Sequence, residues 1–294
     1  MNSLSEEFYK LCEEYEDDPA VGKRIAALVL GAPEGPERDG LLAMMYHDGI
    51  GVEPDLDEAF RYAESAAEHD EGVALYLLGF MCEHGETPDQ FEGGPRQKYD
   101  HYDAEMFMER CSRTSSSWAE DAHLWLGRYY MNMARGGDPE VALEHFEAIA
   151  DRNSDAAGEL SDYYWNLWEN GYAQTDEEID ALAHDVCKWT REAVRLNPHD
   201  YSYRMGCCYA EGIGCEPHFR LARKYWEDAY GFGEWWAADA IAALFEQRLE
   251  SLGEDAPEAE RVNCRKHIES WRKLARREQE RQAASEPDPS VEED

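Results

Sequence analysis

The stretch Gly-Ile-Gly-Val-Glu-Pro at residues 49–54 decides the fold, because it recurs with one substitution as Gly-Ile-Gly-Cys-Glu-Pro at residues 212–217. A glycine adopts a positive φ after a helix at little cost, and a nearby proline stops the helix from re-forming. Each copy is therefore predicted to be the turn of a helical hairpin. Two such similar turns indicate an internal duplication, as in repeat proteins.

The segment before each turn carries a large apolar residue, then a small one, then an aromatic or apolar residue. Apolar side chains four positions apart lie on one helical face, and the small residue between them lets another helix approach closely. This pattern predicts the first helix of each hairpin. It recurs as Leu42/Ala43/Tyr46, Leu78/Gly79/Cys82, Leu126/Gly127/Tyr130, Leu160/Ser161/Tyr164, Met205/Gly206/Tyr209 and Ala240/Ile241/Leu244.

A second helix is predicted after each turn. Its pattern is small, aromatic and small at positions i, i+3 and i+7, so that small residues flank one ring and the two helices interlock ridge into groove. The copies are Ala59/Tyr62/Ala66, Ala104/Phe107/Cys111, Ala142/His145/Ile149, Val186/Trp189/Ala193 and Ala222/Tyr225/Ala229. His145 is interpreted as a core substitution in this series.

These motifs resemble the Sel1-like repeat family, which is related to the tetratricopeptide proteins. Its unit has Leu-Gly-x-x-Tyr in the first helix, Gly-x-Gly-Val in the turn and Ala-x-x-Trp or Ala-x-x-Tyr in the second helix. The resemblance is clearest in the first and fifth repeats, and the third and fourth lack the Gly-x-Gly turn. It implies an all-α fold, a right-handed α-solenoid of stacked helical hairpins.

The chain is predicted to have four regions. We expect an N-terminal helical cap over residues 1–36 and about six repeats over 37–250, with insertions near 86–100 and 170–180. A C-terminal closing helix is predicted over 251–284. The acidic tail, 285–294, is predicted to be disordered.

The charge is strongly acidic, with 65 Asp and Glu against 28 Lys and Arg and a formal net charge of −37. Nucleic acid and anionic membranes would meet a surface of like charge, so neither is expected as a partner, and basic partners are favoured. The N-terminus lacks the apolar stretch of a secretory signal, and no apolar run is long enough to span a bilayer. The chain is predicted to be cytoplasmic.

Motifs for catalysis are absent from the sequence. It contains no phosphate loop, dinucleotide fingerprint, nucleophile elbow or zinc-protease helix, so we expect no enzyme activity, no cofactor and no metal site. The eight cysteines include no Cys-x-x-Cys pair, and most are predicted to be small core residues. The spacing of Cys207 and Cys215 resembles the disulfide of secreted cysteine-rich Sel1-like proteins.

The resemblance also implies a function. In tetratricopeptide-like units the first helices line a concave groove, with the groove positions two before, two after and five after the first-helix leucine. The chain is therefore predicted to be a non-enzymatic scaffold or adaptor that binds a basic or apolar peptide or helix of another protein. The predicted binding residues are Met44, His47, Tyr76, Phe80, Glu83, Leu124, Arg128, Met131, Asp162, Trp165, Tyr203 and Cys207.

Three alternatives stay open at this point. The repeats could curl tightly, so that the groove residues pack across the bend. The chain could be a secreted-type cysteine-rich protein with ligand-binding or weak hydrolase activity, which would require oxidised cysteines. It could also be a self-assembling structural protein that forms homodimers through its caps.

Overall fold

The computed structural model describes residues 3–17, 19–88, 99, 102–253 and 256–285. Within these ranges the regular structure is entirely helical, so the predicted all-α fold of helical hairpins is confirmed. Short 3-10 helices cover Pro19–Val21 and Met133–Arg135. The α-helices are α1 (Leu4–Asp17), α2 (Gly22–Leu30), α3 (Pro36–Asp48), α4 (Leu56–Ala67), α5 (Gly72–His84), α6 (Asp103–Ser112), α7 (Trp118–Met131), α8 (Pro139–Glu147), α9 (Ser154–Glu169), α10 (Asp176–Leu196), α11 (Pro198–Glu211), α12 (Phe219–Gly231), α13 (Ala237–Ser251) and α14 (Glu258–Ser285).

The chain forms two compact units, Met1–Ile149 and Ala150–Asp294. In the N-terminal unit, α1 and α2 pack on α3, and three hairpins follow as α3–α4, α5–α6 and α7–α8. The first helices α3, α5 and α7 are neighbours in that order. The C-terminal unit contains the hairpins α9–α10, α11–α12 and α13–α14. The finer boundaries expected from the sequence remain predictions.

The two Gly-x-Gly turns have the same geometry, as predicted. Gly49 and Gly212 both lie at positive φ and end their helices with hydrogen bonds to the carbonyls of Met45 and Cys208. Gly51 and Gly214 are also at positive φ, at 73° and 62°. A Cβ on Gly51 would lie 2.0 Å from the Gly22 carbonyl oxygen of α2, and one on Gly214 would lie 2.0 Å from the Ala183 carbonyl oxygen of α10, clashes that only glycine avoids.

The aromatic pair of each hairpin is repeated as well. The rings of Tyr46 and Tyr62 stack with centroids 5.8 Å apart and an interplanar angle of 4°. In the fifth repeat, Tyr209 and Tyr225 stack at 5.8 Å and 8°. The same two positions therefore have equivalent environments in the two units, as a duplication requires.

The small residue of the first helix accommodates a large side chain of the second helix. A Cβ added to Gly127 would lie 2.4 Å from the Phe146 ring, and one added to Gly206 would lie 2.4 Å from the Trp226 ring. Phe146 and Trp226 each follow the position that the sequence pattern singled out. The close approach is as predicted, but its partner is one residue further along the second helix.

Several predicted segments fall at the limits of the structure. Most of the expected insertion near 86–100 and of the acidic tail lies outside the described residues. Near 170–180 the loop is short, because α9 extends to Glu169 and α10 begins at Asp176 with a capping box formed by Thr175 and Glu178. Among the described helices, none combines the length and apolar character needed to cross a membrane.

Candidate binding groove

The N-terminal unit brings the predicted binding residues of its three first helices to one side of those helices. Met44 and His47 lie on α3, Tyr76, Phe80 and Glu83 on α5, and Leu124, Arg128 and Met131 on α7. Except for Met131, these residues line two adjoining pockets, which share Tyr76. We name the two pockets together the α3–α5–α7 groove.

The first pocket is apolar and has a volume of about 140 Å³. Side chains of α3 and α5 line it together with Trp118 of α7. The Tyr76 and Trp118 rings lie 4.7 Å apart, and Trp118 Nε1 donates a hydrogen bond of 2.7 Å to the Tyr9 hydroxyl of α1. The lining residues are Met44, His47, Asp48, Val73, Tyr76, Leu77, Phe80 and Trp118.

The second pocket is lined by both apolar and charged side chains and has a volume of about 390 Å³. Glu83 and Asp121 supply carboxylates on opposite helices, and Trp125 Nε1 donates a 2.6 Å hydrogen bond to Glu83. Burial, and then the charge of Glu120, raise the pKa of Asp121. The lining residues are Tyr76, Glu83, Asp121, Leu124, Trp125, Arg128, Tyr129 and Asn132.

His47 connects the apolar pocket to acidic groups. Its ring contacts Phe80 edge-on at 5.5 Å, its Nδ1 contacts Asp48, and its Nε2 lies 3.0 Å from Glu86. The hydrogen bond to Asp48 is the largest cause of the raised pKa of His47, with Glu86 acting in the same direction against burial. The groove thus has a titratable cation beside its apolar floor.

The sequence reasoning missed Trp118, Asp121 and Trp125. The offsets taken from the tetratricopeptide unit selected Leu124, Arg128 and Met131 on α7, whereas the face that lines the pockets runs through Asp121, Leu124, Trp125 and Arg128. The signal was present, since positions i, i+3, i+4 and i+7 form one helical face.

The predicted residues of the C-terminal unit form a different arrangement. Asp162 makes an ion pair with Arg204, whose guanidinium carbon lies 5.6 Å from the centroid of the Trp165 ring. Trp165 packs partly buried against the core formed by α10 and α11. Tyr203 lies between the Trp226 and Trp236 rings, with centroids 6.2 and 6.3 Å away. These residues therefore pack in two separate clusters, Trp165 against the α10–α11 core and Tyr203 against the α12–α14 core.

The cysteines are arranged differently from the pairing that the spacing suggested. None of the eight, all of which lie in the described residues, forms a disulfide. Cys207 packs with Tyr203 and the α12–α14 core, and burial raises its pKa to about 12. Cys215 packs with Cys187 and Cys208. Cys215 therefore packs beside Cys187 and Cys208, and Cys207, its partner in the pattern of the family, lies in a different cluster.

Acidic, histidine and cysteine side chains are the usual protein ligands of metal ions. Within the described part of the chain they form no three-residue cluster suited to a metal ion. The Nδ1 atoms of His123 and His145 lie 3.0 Å apart, and Nε2 of His145 lies 3.3 Å from Glu109. His145 stacks on Tyr130, in keeping with its interpretation as a packing residue.

Comparisons with known proteins agree with this architecture. The sequence model of the Sel1 repeat matches residues 41–71, 72–93, 121–154 and 200–230. The first, third and fourth of these segments each span most of one hairpin, namely α3–α4, α7–α8 and α11–α12. No curated protein is significantly similar to the chain in sequence.

Two solved structures resemble the chain. The Sel1 repeat protein from Oxalobacter formigenes is 18% identical with a TM-score of 0.53, and the match covers 92% of this chain and 99% of that one. A protective antigen present in uropathogenic Escherichia coli strains, which displays an SLR fold, is 16% identical with a TM-score of 0.49, covering 94% and 60%. At this identity the first likeness shows a shared fold. The matched segments and the repeated hairpins together show that this chain is a Sel1 repeat protein.

Proposed function

We propose that this protein is a non-enzymatic scaffold that binds a segment of another protein in the α3–α5–α7 groove. The observation that supports this most is the convergence of Met44, His47, Tyr76, Phe80 and Leu124 from three successive first helices onto two adjoining pockets. Large apolar and aromatic side chains in a concave surface are typical anchors of peptide recognition.

The chemistry of the groove favours a particular kind of partner segment. The apolar pocket, about 140 Å³ in volume, fits an aliphatic or aromatic side chain. Next to it, Glu83 and Asp121 offer carboxylates to a Lys or Arg of the same segment. The formal net charge of −37 attracts a basic partner from a distance. A short helix or strand with an apolar anchor and a basic residue one turn away satisfies both pockets.

The pockets are supported by neighbouring side chains. Trp118 is held by Tyr9, Trp125 by Glu83, and Phe80 by stacking on His84 with ring centroids 4.0 Å apart. Because these rings are already fixed, a partner loses less free energy to side-chain ordering when it binds.

Selection of peptides on the immobilised protein tests this function. We expect enriched peptides to combine apolar and basic residues and to bind more weakly to Met44→Ala and to Glu83→Gln. Met106→Ala is the matched control, because Met106 on α6 is 44% exposed and lines neither pocket. Enriched peptides that bind all three variants as tightly as the native protein would place the interface elsewhere.

The two other functions foreseen from the sequence have separate tests. A self-assembling role predicts a mass above 33.7 kDa in light scattering at micromolar concentration. A cysteine-rich ligand-binding role requires disulfides, so it predicts fewer than eight titratable thiols when the purified protein is unfolded without a reductant. The groove proposal predicts neither result.

A further inference from the structure

Three cysteines come together in the C-terminal unit. Cys187 lies on α10, Cys208 on α11, and Cys215 in the turn that follows α11. Cys187 and Cys208 are buried, whereas Cys215 is partly exposed. All three belong to one hydrophobic cluster together with Met205 and Ile213.

The close packing of the turn on α10 brings Cys215 to Cys187. At Gly214, which lies at positive φ, an added Cβ would be 2.0 Å from the Ala183 carbonyl oxygen and 2.9 Å from Cys187 Cβ. The next residue, Cys215, donates a hydrogen bond from its thiol to the Cys208 carbonyl at 3.4 Å. The backbone thus fixes two thiols from distant parts of the sequence beside each other.

The surroundings of Cys187 favour its thiolate. Arg191 Nη2 donates a hydrogen bond of 3.2 Å to Cys187 Sγ. The pKa of Cys187 is lowered, first by a hydrogen bond from Cys208 and then by Arg191, Cys215 and His184, against burial. The pKa values of Cys208 and Cys215 are raised, so these two remain protonated donors. Tyr209 and Glu216 are the other titratable groups facing the cluster.

Three of the other thiols, those of Cys12, Cys111 and Cys207, differ in this respect. Burial is the largest cause of raised pKa values at Cys12, Cys111 and Cys207, and Cys111 donates to the carbonyl of Gly72. Cys187 is also buried, so protonation and not exposure makes the difference: a protonated thiol is a poor nucleophile, whereas a thiolate beside a cation and a second thiol is an arrangement found in reactive cysteines.

We propose that Cys187 and Cys215 form a redox site that reacts with hydroperoxides and closes a reversible disulfide between α10 and the turn after α11. The Cys187 thiolate attacks the peroxide oxygen, the O–O bond breaks, and the leaving oxygen takes up a proton, which gives Cys187 sulfenic acid and, from hydrogen peroxide, water. The Cys215 sulfur then attacks the Cys187 sulfur. The S–S bond forms as the S–O bond of Cys187 breaks, and the leaving hydroxide combines with the proton of Cys215 to give a second water. In total two thiols are oxidised and one peroxide is reduced.

Cys215 is assigned as the second partner because it lies on a partly exposed turn, whereas Cys208 is fully buried inside α11. Cys208 keeps its proton and serves as a positioning residue that donates to the Cys187 sulfur. A thiol reductant reverses the reaction by exchange at the exposed Cys215 sulfur.

Peptide mapping of the oxidised full-length protein tests the site. Cleavage after Glu178, Glu192, Glu211 and Glu227 separates Cys187, the Cys207–Cys208 pair and Cys215 onto different peptides; Glu216 is not cleaved because Pro217 follows it. With one equivalent of hydrogen peroxide we expect the loss of two of the eight thiols, one cross-linked peptide pair containing Cys187 and Cys215, and full recovery with dithiothreitol. Cys187→Ser and Cys215→Ser should abolish the cross-link, and Cys207→Ser should leave it unchanged.

A second measurement does not depend on these variants folding. The rate of alkylation of Cys187 in the native protein, followed by mass spectrometry, should reach half its maximum below the pH of about 8.5 typical of an ordinary thiol. Arg191→Met should move this midpoint upward. A cross-link between Cys207 and Cys215, thiol loss spread over all eight cysteines, or alkylation of Cys187 only after unfolding would each overturn the proposal.

Discussion

The contact between Gly127 and Phe146 gives a quantitative prediction about why the first helices carry a small residue. A Cβ at Gly127 would lie 2.4, 2.6 and 2.7 Å from three atoms of the Phe146 ring. Phe146 is fully buried, so the ring has no space into which to move. Alanine should gain about 1 kcal/mol in helix propensity over glycine, whereas overpacking against a buried ring at 2.4 Å should cost about 2 to 3 kcal/mol, the upper part of the usual range. We expect Gly127→Ala to destabilise the protein by about 1 to 2 kcal/mol.

Gly79 is the matched control, because it occupies the same position one hairpin earlier. A Cβ there would lie 2.8 Å from the terminal methyl of Met108, which is a flexible side chain. Gly79→Ala should therefore change the free energy of unfolding by less than about 1 kcal/mol. Phe146→Leu should remove much of the penalty of Gly127→Ala in a double-mutant cycle.

Urea unfolding followed by circular dichroism at 222 nm measures these differences through the midpoint and slope of the transition. Gly127→Ala should unfold at lower urea than Gly79→Ala. Two results would show that the close approach of the paired helices does not select glycine at this position. One is a Gly127→Ala variant as stable as the native protein, and the other is a double mutant in which the free-energy changes of Gly127→Ala and Phe146→Leu simply add.

Three other perturbations test different parts of the structure. Gly51→Ala should lower the free energy of unfolding by more than about 2 kcal/mol, because the substitution combines a positive φ with a clash against the Gly22 carbonyl. Thermal or urea unfolding measures this loss, and a loss below about 1 kcal/mol would contradict the observed turn. Thr175→Ala should lose the capping box of α10 and cost about 1 kcal/mol, whereas Thr175→Ser should retain it. His47→Gln should reduce stability at pH 6 more than at pH 8.5. Because the pKa of His47 is higher in the folded than in the unfolded protein, protonated His47 stabilises the fold fully below the unfolded pKa of about 6.5. This stabilisation is lost as the pH rises through the folded pKa. An equal loss of stability at both pH values would contradict the contacts of His47 with Asp48 and Glu86.

The local pattern of the sequence was sufficient to predict the hairpins. The turn glycines at 49 and 212, the stacked tyrosines at 46 and 62, and the small residue at 127 depend on contacts within one repeat, so their spacing contains the information. The sequence pattern pointed to His145 as the second-helix residue beside Gly127, whereas Phe146 occupies that place. The rotation of one helix against another depends on side-chain packing and not on spacing alone.

The candidate groove could be predicted in part. Tyr76 and Phe80 line the pockets because, four positions apart, they lie on one face of α5, opposite the buried anchor Leu78. Leu124 lies in the same way opposite Leu126 on α7. Trp118 was missed because its position depends on Tyr9, which is distant in the sequence. The neighbours of Cys215 were also missed, because Cys187 reaches it only through the packing of a turn on the preceding hairpin.

Site-specific photo-cross-linking tests the central claim of partner binding in the groove most directly. A benzophenone amino acid is placed at Phe80, in the apolar pocket, and in a second protein at Met106 on α6. With a selected apolar and basic peptide, we expect cross-links from position 80, suppressed by excess unlabelled peptide, and none above background from position 106. Equal cross-linking from both positions, or cross-linking from position 106 alone, would contradict binding in the groove.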